Sequence, residues 1–122
     1  MTKEEIKLLD LIAQAIFDKK GINILALDVR GLSTMTDYFV IAEGSVGRHV
    51  KALATEIKHK MSDEGGALLQ SEGESDGEWV VMDYGYIVIH LFTPDMREKY
   101  AFEELWSRST IIDVKINTNP II

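Results

Sequence analysis

Residues 79–92 read WVVMDYGYIVIHLF, and this stretch predicts two β-strands joined by a tight turn. Branched and aromatic side chains fill 79–83 and 86–92, as is typical of strands, and Tyr84-Gly85 is short enough to reverse the chain. The run from Ile87 to Phe92 is far shorter than the ~18 residues that a membrane span needs. We therefore expect a β-hairpin within a globular fold.

The residues before this hairpin predict a helix, two strands and a second helix. Thr2 and Glu5 form a capping box, and apolar residues at helical spacing continue to Gly21. The ranges 22–29 and 37–43 predict an antiparallel pair of strands, and a second helix is predicted from an N-cap at Ser45 to Gly65. The apolar stripe of this helix is expected to face a sheet, and it consists of Val46, Val50, Leu53, Ile57 and Met61.

The rest of the chain completes an expected α/β (α+β) fold. Residues 67–70 predict a short strand, 71–78 predict a loop, and Pro94 opens a third helical segment. Together the elements predict a single mixed β-sheet of about five strands with helices packed on it. We expect one domain over residues 1–106 and a tail over 107–122 that is extended, disordered or docked on a second copy. The expected inward positions of the third helical segment are Met96, Tyr100, Leu105 and Trp106.

Charge and composition restrict the function. The chain has 122 residues and a net charge of −7, which argues against nucleic acid as the main direct partner because such binding depends on cations that neutralise phosphates. The acids are concentrated, since residues 61–96 contain eight Asp and Glu and no Lys or Arg. The absence of Cys excludes disulfides and thiolate metal sites. Acids at the N-terminus are unlike a signal peptide, so we expect a cytoplasmic protein.

The histidines do not predict a metal site or a catalytic base. His49, His59 and His90 are not at ligand spacing, so we expect no metal. His90 lies within the apolar run 87–92, where a hydrogen-bonded, half-buried imidazole is more common than a general base.

The segment Gly44-Ser45-Val46-Gly47-Arg48-His49 between a strand and a helix has two interpretations. Backbone N–H groups at a helix N-terminus can hold an anion, which makes Gly44, Ser45 and Arg48 candidate anion-binding residues. A plain N-cap with a tight turn is favoured, because the spacing matches neither a P-loop nor a dinucleotide fingerprint.

A strand, Gly-Ser and a helix also resemble the opening of the nucleotidyltransferase fold, whose metal chemistry needs two carboxylates two residues apart on one strand. The next well-defined strand offers Glu78 and Asp83, which are five apart and therefore on opposite faces, so the catalytic pair is missing.

Trp79 at the start of the hairpin has two interpretations that the sequence leaves open. A large aromatic residue beside acids is typical of a protein-binding hot spot for a basic partner. The alternative is a tryptophan that only covers the core under the loop 71–78.

Several segments, in their order and spacing over roughly residues 5 to 106, resemble the ribosomal silencing factor family, also called Iojap-like proteins. These segments are Ala26-Leu27-Asp28-Val29-Arg30, Thr36-Asp37-Tyr38-Phe39-Val40-Ile41, Gly44-Ser45 with Arg48-His49-Val50, Trp79-Val80-Val81-Met82-Asp83-Tyr84-Gly85, Val88-Ile89-His90, and Arg97 through Tyr100 to Leu105-Trp106.

The resemblance implies a translation regulator that is not an enzyme, with no cofactor. It implies binding to the large ribosomal subunit through that subunit's fourteenth protein, with little direct contact to ribosomal RNA, so that the small subunit cannot join when nutrients are scarce. It further implies a nucleotidyltransferase-like fold without catalytic acids, and a homodimer. The binding surface that it implies consists of Trp79, Asp83, Tyr84 and Gly85, with Met82 and Tyr86 as neighbours. The alternative is a nucleotide-binding or vestigial nucleotidyltransferase enzyme that uses Gly44, Ser45 and Arg48.

Overall fold

A computed structural model describes residues 1–118 and shows one mixed β-sheet of six strands in the order β3-β4-β5-β2-β1-β6. The predicted fold class is confirmed, with one strand more than expected. None of the helices in residues 1–118 is long and apolar enough to cross a membrane. The elements are α1 Lys3–Asp18, β1 Ile22–Asp28, β2 Tyr38–Glu43, α2 Gly47–Asp63, β3 Gln70–Glu72, β4 Trp79–Asp83, β5 Ile87–Phe92, α3 Pro94–Tyr100, a 3-10 helix Phe102–Trp106 and β6 Thr110–Ile112.

The first helix begins where the sequence predicts. The Thr2 side chain accepts a hydrogen bond from the backbone N–H of Glu5, and the Glu5 carboxylate accepts one from the Thr2 N–H, which forms the capping box. The buried side of α1 packs against α2 and the sheet.

Two strand pairs organise the sheet. β1 and β2 form the predicted antiparallel pair, and β4 and β5 form the predicted hairpin, in which Val81 lies opposite His90. β2 and β5 run parallel, with Phe39 beside Val88. A parallel pair requires a crossover, and α2 lies within the chain that makes it. All of β2 is buried because both faces of the sheet are covered at its centre.

The two faces of the sheet are covered unequally. α1 and α2 pack on one face, which we call the helical face, over a large apolar core that includes Tyr38, Val40, Met82 and Ile89. The opposite face, which we call the open face, carries a smaller cluster around Phe39, under α3 and the 3-10 helix. Because these two short helices cover only part of the open face, it retains accessible surface beside the hairpin.

Several details differ from the sequence-based expectations, among them Val46 of the expected apolar stripe, which is 52% exposed at the N-cap of α2. β3 lies at Gln70–Glu72 and not at 67–70, because these residues pair with Val81–Asp83 of β4. Leu105 and Tyr100 were expected to point inward, but they are 76% and 46% exposed. The helix expected to include Leu105 ends at Tyr100, and Ala101, whose φ of 45° is left-handed, separates it from the 3-10 helix.

The sixth strand lies in the segment that we expected to be a tail. Thr110–Ile112 pairs antiparallel with Ala26–Asp28 of β1, so this part of the tail is extended. Beyond β6, the Lys115 N–H donates to Asp10 on α1. The division of the chain at residue 106 stays a prediction, and the part of the expected tail at 119–122 lies outside the described residues.

Candidate partner-binding site

The strand alternation of the hairpin divides the expected binding residues between the two faces of the sheet. Trp79 and Asp83 lie on the open face and are half-buried. Met82 is fully buried and Tyr84 is 7% exposed, and both belong to the core beneath the helices. Met82 and Tyr84 alternate with Trp79 and Asp83 and therefore point into the helical core, and their contact with a partner stays a prediction.

The turn of the hairpin is held by Asp83. Its Oδ1 accepts a hydrogen bond of 2.7 Å from the Gly85 N–H, and the Tyr84 N–H donates to the Ile87 carbonyl. Gly85 has a φ of 91°, a conformation that residues with a Cβ rarely adopt. Tyr86 follows the turn, half-buried against the helical core, and burial raises the pKa of its phenol. Asp83 therefore shapes the turn with one oxygen and lines the open face.

A groove with a volume of about 470 Å³ runs along the open face beside the hairpin. Its lining is mainly apolar, and Glu72 and Asp83 contribute carboxylates from β3 and β4. The connection 32–36 between β1 and β2 forms another wall, in which Met35 is 87% exposed. The residues that line this groove are Leu32, Ser33, Thr34, Met35, Thr36, Phe39, Gln70, Glu72, Val81, Asp83, Val88, His90, Phe102 and Trp106.

Trp79 is anchored in an aromatic cluster. Its ring lies 4.9 Å from those of both Phe92 and Tyr100, measured between centroids, and its Nε1–H donates a 3.1 Å hydrogen bond to Nδ1 of His90. Trp79 therefore covers the smaller core, with its ring against Tyr100 of α3 and its backbone carbonyl against Gly73 of the loop 71–78. Its direct contact with a partner stays a prediction.

His90 is a neutral, buried hydrogen-bond acceptor, as the sequence favours. It is 7% exposed, and burial lowers the pKa of its imidazole to about 4. Because Nδ1 accepts the Trp79 hydrogen bond, the ring proton of the neutral form is on Nε2. His90 lines the groove, and its ring lies 4.0 Å from that of Phe102.

Residues of α2 bind and pack against the loop Gly44-Ser45. The Ser45 N–H donates to Nδ1 of His49 over 2.8 Å, and the other nitrogen of that ring lies 2.7 Å from the Lys19 carbonyl oxygen. The His49 ring thereby joins the start of α2 to the end of α1. A Cβ at Gly44 would lie 2.8 Å from the Val50 backbone nitrogen, so the helix approaches closely here. Ser45 is not the N-cap, because Val46 occupies that position without a side-chain hydrogen bond.

The N-terminus of α2 is also covered by the acidic loop 71–78. A Cβ at Gly47 would collide with the carbonyl oxygen of Asp76, so the loop 71–78 lies directly against the helix N-terminus. Arg48 is exposed. An occupied Ser45 N–H and a neighbouring acidic loop both disfavour an anion at this position.

Sequence reasoning missed the residues of the groove outside the hairpin. Leu32 and Met35 lie in a short connection that sequence patterns assign only to a turn. Alternation along β2 could have placed Phe39 and Ile41 on one face, but it could not have predicted that Phe39 lies beside Val88. Bringing these residues together requires the parallel pairing of β2 with β5, which is not local in sequence.

An ion-pair network that the sequence did not predict holds α3 to the sheet. Arg97 donates through Nη1 to Glu43 Oε2 over 3.1 Å and through Nε to Glu103 Oε1 over 3.0 Å. Its Nη1 also donates to the Asn23 carbonyl, and Glu43 is 8% exposed.

Within residues 1–118, no three His, Asp or Glu side chains are grouped so that they could hold a metal ion.

Comparisons with known proteins assign the family. The family model "Ribosomal silencing factor during starvation" matches residues 2–120. The ribosomal silencing factor RsfS of Bacillus subtilis is 37% identical over 112 residues, which cover 92% of this chain and 95% of that protein. A mouse relative, named mitochondrial assembly of ribosomal large subunit protein 1, is 29% identical and matches over 86% of this chain and 47% of its own length.

The solved structures agree with this assignment. A protein from Chromobacterium violaceum superposes with a TM-score of 0.81 at 36% identity, over 88% of each chain. A protein from Bacillus halodurans superposes with a TM-score of 0.78 at 33% identity, over 88% of this chain and 98% of that one. With its sequence matched from residue 2 to residue 120 and its sheet shared with these structures, the chain belongs to the ribosomal silencing factor family.

Proposed function

We propose that this protein, as a ribosomal silencing factor, binds the large ribosomal subunit through one basic protein, the fourteenth of that subunit, and blocks joining of the small subunit. It does so in the cytoplasm as a regulator and not as an enzyme. The observation that carries the proposal is the groove, whose Glu72 and Asp83 lie within the segment 61–96 that has eight Asp and Glu and no Lys or Arg.

Electrostatics support a protein partner over ribosomal RNA. A carboxylate-lined surface attracts a basic ribosomal protein and is repelled by phosphates, so the same charges favour one component of the ribosome and disfavour the other. The apolar groove adds the desolvated area that a stable contact needs. Trp79 and Asp83 on the open face and Gly85 and Tyr86 at the turn are the proposed contacts, with Met82 and Tyr84 as their support from the core.

The proposal is tested with the unmodified protein and purified ribosomal subunits. We expect the protein to sediment with large subunits and not with small ones, and to reduce the joined-ribosome peak when the two subunits are mixed. Failure to sediment with large subunits, or an unchanged joined-ribosome peak, overturns the proposal. The variant Trp79→Ala, checked for folding by circular dichroism, is expected to lose both effects.

The proposal includes a homodimer. Ile111 on the edge strand β6 is 69% exposed and Ile6 on α1 is 41% exposed, and both line a second apolar pocket at the sheet edge. Exposed apolar surface of this kind is typical of interaction sites. Light scattering after size-exclusion chromatography is expected to give twice the chain mass, and a monomer mass at all concentrations would refute the dimer.

A further inference from the structure

The groove combines three features that together specify a ligand. It has an apolar floor, a hydrogen-bond donor on that floor and carboxylates on one wall. Its volume of about 470 Å³ lies within the roughly 300–1,000 Å³ of ligand sites in proteins. The sequence singled out the hairpin, but the groove extends beyond it to the connection 32–36 and to the 3-10 helix.

The floor is apolar because residues from three strands meet there. Val81 lies beside His90 across β4 and β5, and Val88 lies beside Phe39 across β5 and β2. Val81 and Val88 are half-buried, so the floor is accessible. Phe102 of the 3-10 helix closes one side of this floor.

Two donors in the lining have no acceptor among residues 1–118. Nδ1 of His90 accepts from Trp79, which leaves Nε2–H as the free donor of the ring. The Trp106 indole Nε1–H is buried and also has no partner. The Trp106 N–H is enclosed, so the His90 Nε2–H is the donor that a carbonyl oxygen of a ligand in the groove can use.

The carboxylates select the charge of the ligand. Asp83 uses Oδ1 for the Gly85 N–H, and its other oxygen has no partner in the described chain. Glu72 is exposed and shares Oε1 with the Gln70 amide. Among residues 1–118, no Lys or Arg lines the groove, so neither acid is neutralised there. A long basic side chain fits this arrangement, since its aliphatic stem packs on apolar surface while its charge reaches the acids.

We propose that the groove binds a segment of the basic partner protein, which inserts one arginine or lysine side chain between the apolar floor and Glu72 and Asp83. A backbone carbonyl of the same segment accepts from His90 Nε2–H. The inference rests on the proposed function and deepens it, because it assigns the contact to the connection 32–36 and to the groove floor as well as to the hairpin. The exposed Met35 side chain covers the stem of the inserted residue.

Crosslinking tests which component of the ribosome enters the groove. A photoreactive benzoylphenylalanine replaces Met35, whose 87% exposure makes the change tolerable. The control replaces Ala52, an exposed residue of α2 on the helical side of the sheet. After irradiation with purified large subunits, we expect position 35 to crosslink to one basic ribosomal protein and position 52 to give no crosslink to that protein. A crosslink from position 35 to ribosomal RNA, or none at all, overturns the inference.

Charge removal tests the carboxylates. The double variant Glu72→Gln with Asp83→Asn removes both charges and keeps the acceptor for the Gly85 N–H. The matched double variant Asp95→Asn with Glu98→Gln removes two exposed acids of α3 that do not line the groove. We expect the groove variant to bind large subunits about tenfold more weakly, with a smaller dependence of affinity on salt, and the α3 variant to bind as the unmodified protein does.

The outcomes separate this inference from the function on which it rests. If the unmodified protein does not bind large subunits, the proposed function fails. If it binds and the groove variant binds equally well, the groove inference fails while the proposed function stands. Equal weakening by both double variants also overturns the groove inference, because net charge alone would then explain the loss.

Discussion

The indole Nε1–H of Trp79 donates to Nδ1 of His90 across two adjacent strands, over 3.1 Å. This hydrogen bond fixes the tautomer of the histidine and the orientation of the tryptophan at the same time. It also joins the smaller core to the groove, because Trp79 packs on Phe92 while His90 lines the groove.

The stability of the protein should fall in mild acid because of His90. Burial lowers the pKa of the imidazole in the folded state to about 4, below its ordinary value of 6.5. Between these values the unfolded chain binds a proton that the folded chain does not, so stability is retained above pH 6.5 and is lost as the pH falls toward 4. The full effect is on the order of 3 kcal/mol in the free energy of unfolding.

Urea denaturation at pH 7.5 and pH 4.5 measures this effect. His90→Phe should be less stable at neutral pH and should lose most of the pH dependence. His59→Gln, a change at an exposed histidine, should keep it. An unchanged pH dependence in His90→Phe would show that another group is responsible.

The ion-pair network of Arg97 should be important for stability. Arg97→Met leaves Glu43, which is 8% exposed, as a buried charge without its partner. We expect a loss of about 3–5 kcal/mol in the free energy of unfolding. Combining it with Glu43→Met should recover part of the loss, while Lys99→Met on the exposed side of α3 should have little effect. A loss for Arg97→Met below about 1 kcal/mol would contradict this role of the network.

Substitution of Met82 should lower the stability of the protein, whereas substitution of Trp79 should remove binding to large subunits. Met82→Ala removes a fully buried side chain and should cost about 2–5 kcal/mol of stability, because it leaves a cavity in the helical core. The fraction that remains folded should bind large subunits as before, since Met82 lies beneath the sheet. Thermal unfolding and sedimentation of the same samples compare the two effects. A fully folded Met82→Ala protein that no longer binds would restore Met82 to the contact surface.

The loop Gly44-Ser45 should not bind nucleotides. The Ser45 N–H is already used by His49, and the acidic loop 71–78 covers the start of α2. Titration calorimetry with ATP and CTP should give no saturable heat. Saturable binding that Ser45→Arg abolishes would instead favour the nucleotide-binding alternative.

Removal of the residues after 106 should weaken the fold. The shortened chain lacks β6, its pairing with Ala26–Asp28 and the hydrogen bond from the Lys115 N–H to Asp10. We expect a cooperative transition that is about 2–4 kcal/mol less stable. Arg108→Ser, at an exposed position just before this strand, should change stability by less than about 0.5 kcal/mol. If the shortened chain is as stable as the full one, the domain ends at 106 as the sequence predicts.

Local signals predicted most of the fold. The capping box of Thr2 and Glu5 and the turn at Gly85 are short-range patterns, and both are present as expected. The position of β3 was wrong because strand pairing with Asp83, and not the apolar run 67–70, determines where it lies. The prediction that Leu105 points inward was wrong, because Ala101 interrupts the helix that would have turned its side chain toward the core.

The candidate site was harder to predict for the same reason. Trp79 and Asp83 were identified with Met82 and Tyr84 as one group, although alternation along a strand separates them. The groove also needs Met35 and Phe102, which come near the hairpin only through tertiary structure. Resemblance to a family identifies the segment that is expected to bind a partner. The structure is needed to show which of its side chains are accessible and which are buried in the core.

The order of the sheet has a consequence for synthesis of the protein. β6 follows every other strand along the chain but pairs with β1, which is the first. While the chain emerges from a ribosome, the outer side of β1 has no partner until residues 110–112 are available. A ribosomal silencing factor therefore completes its own sheet only after residues 110–112 have been synthesised, and nascent chains stalled before β6 should expose an unpaired strand to chaperones.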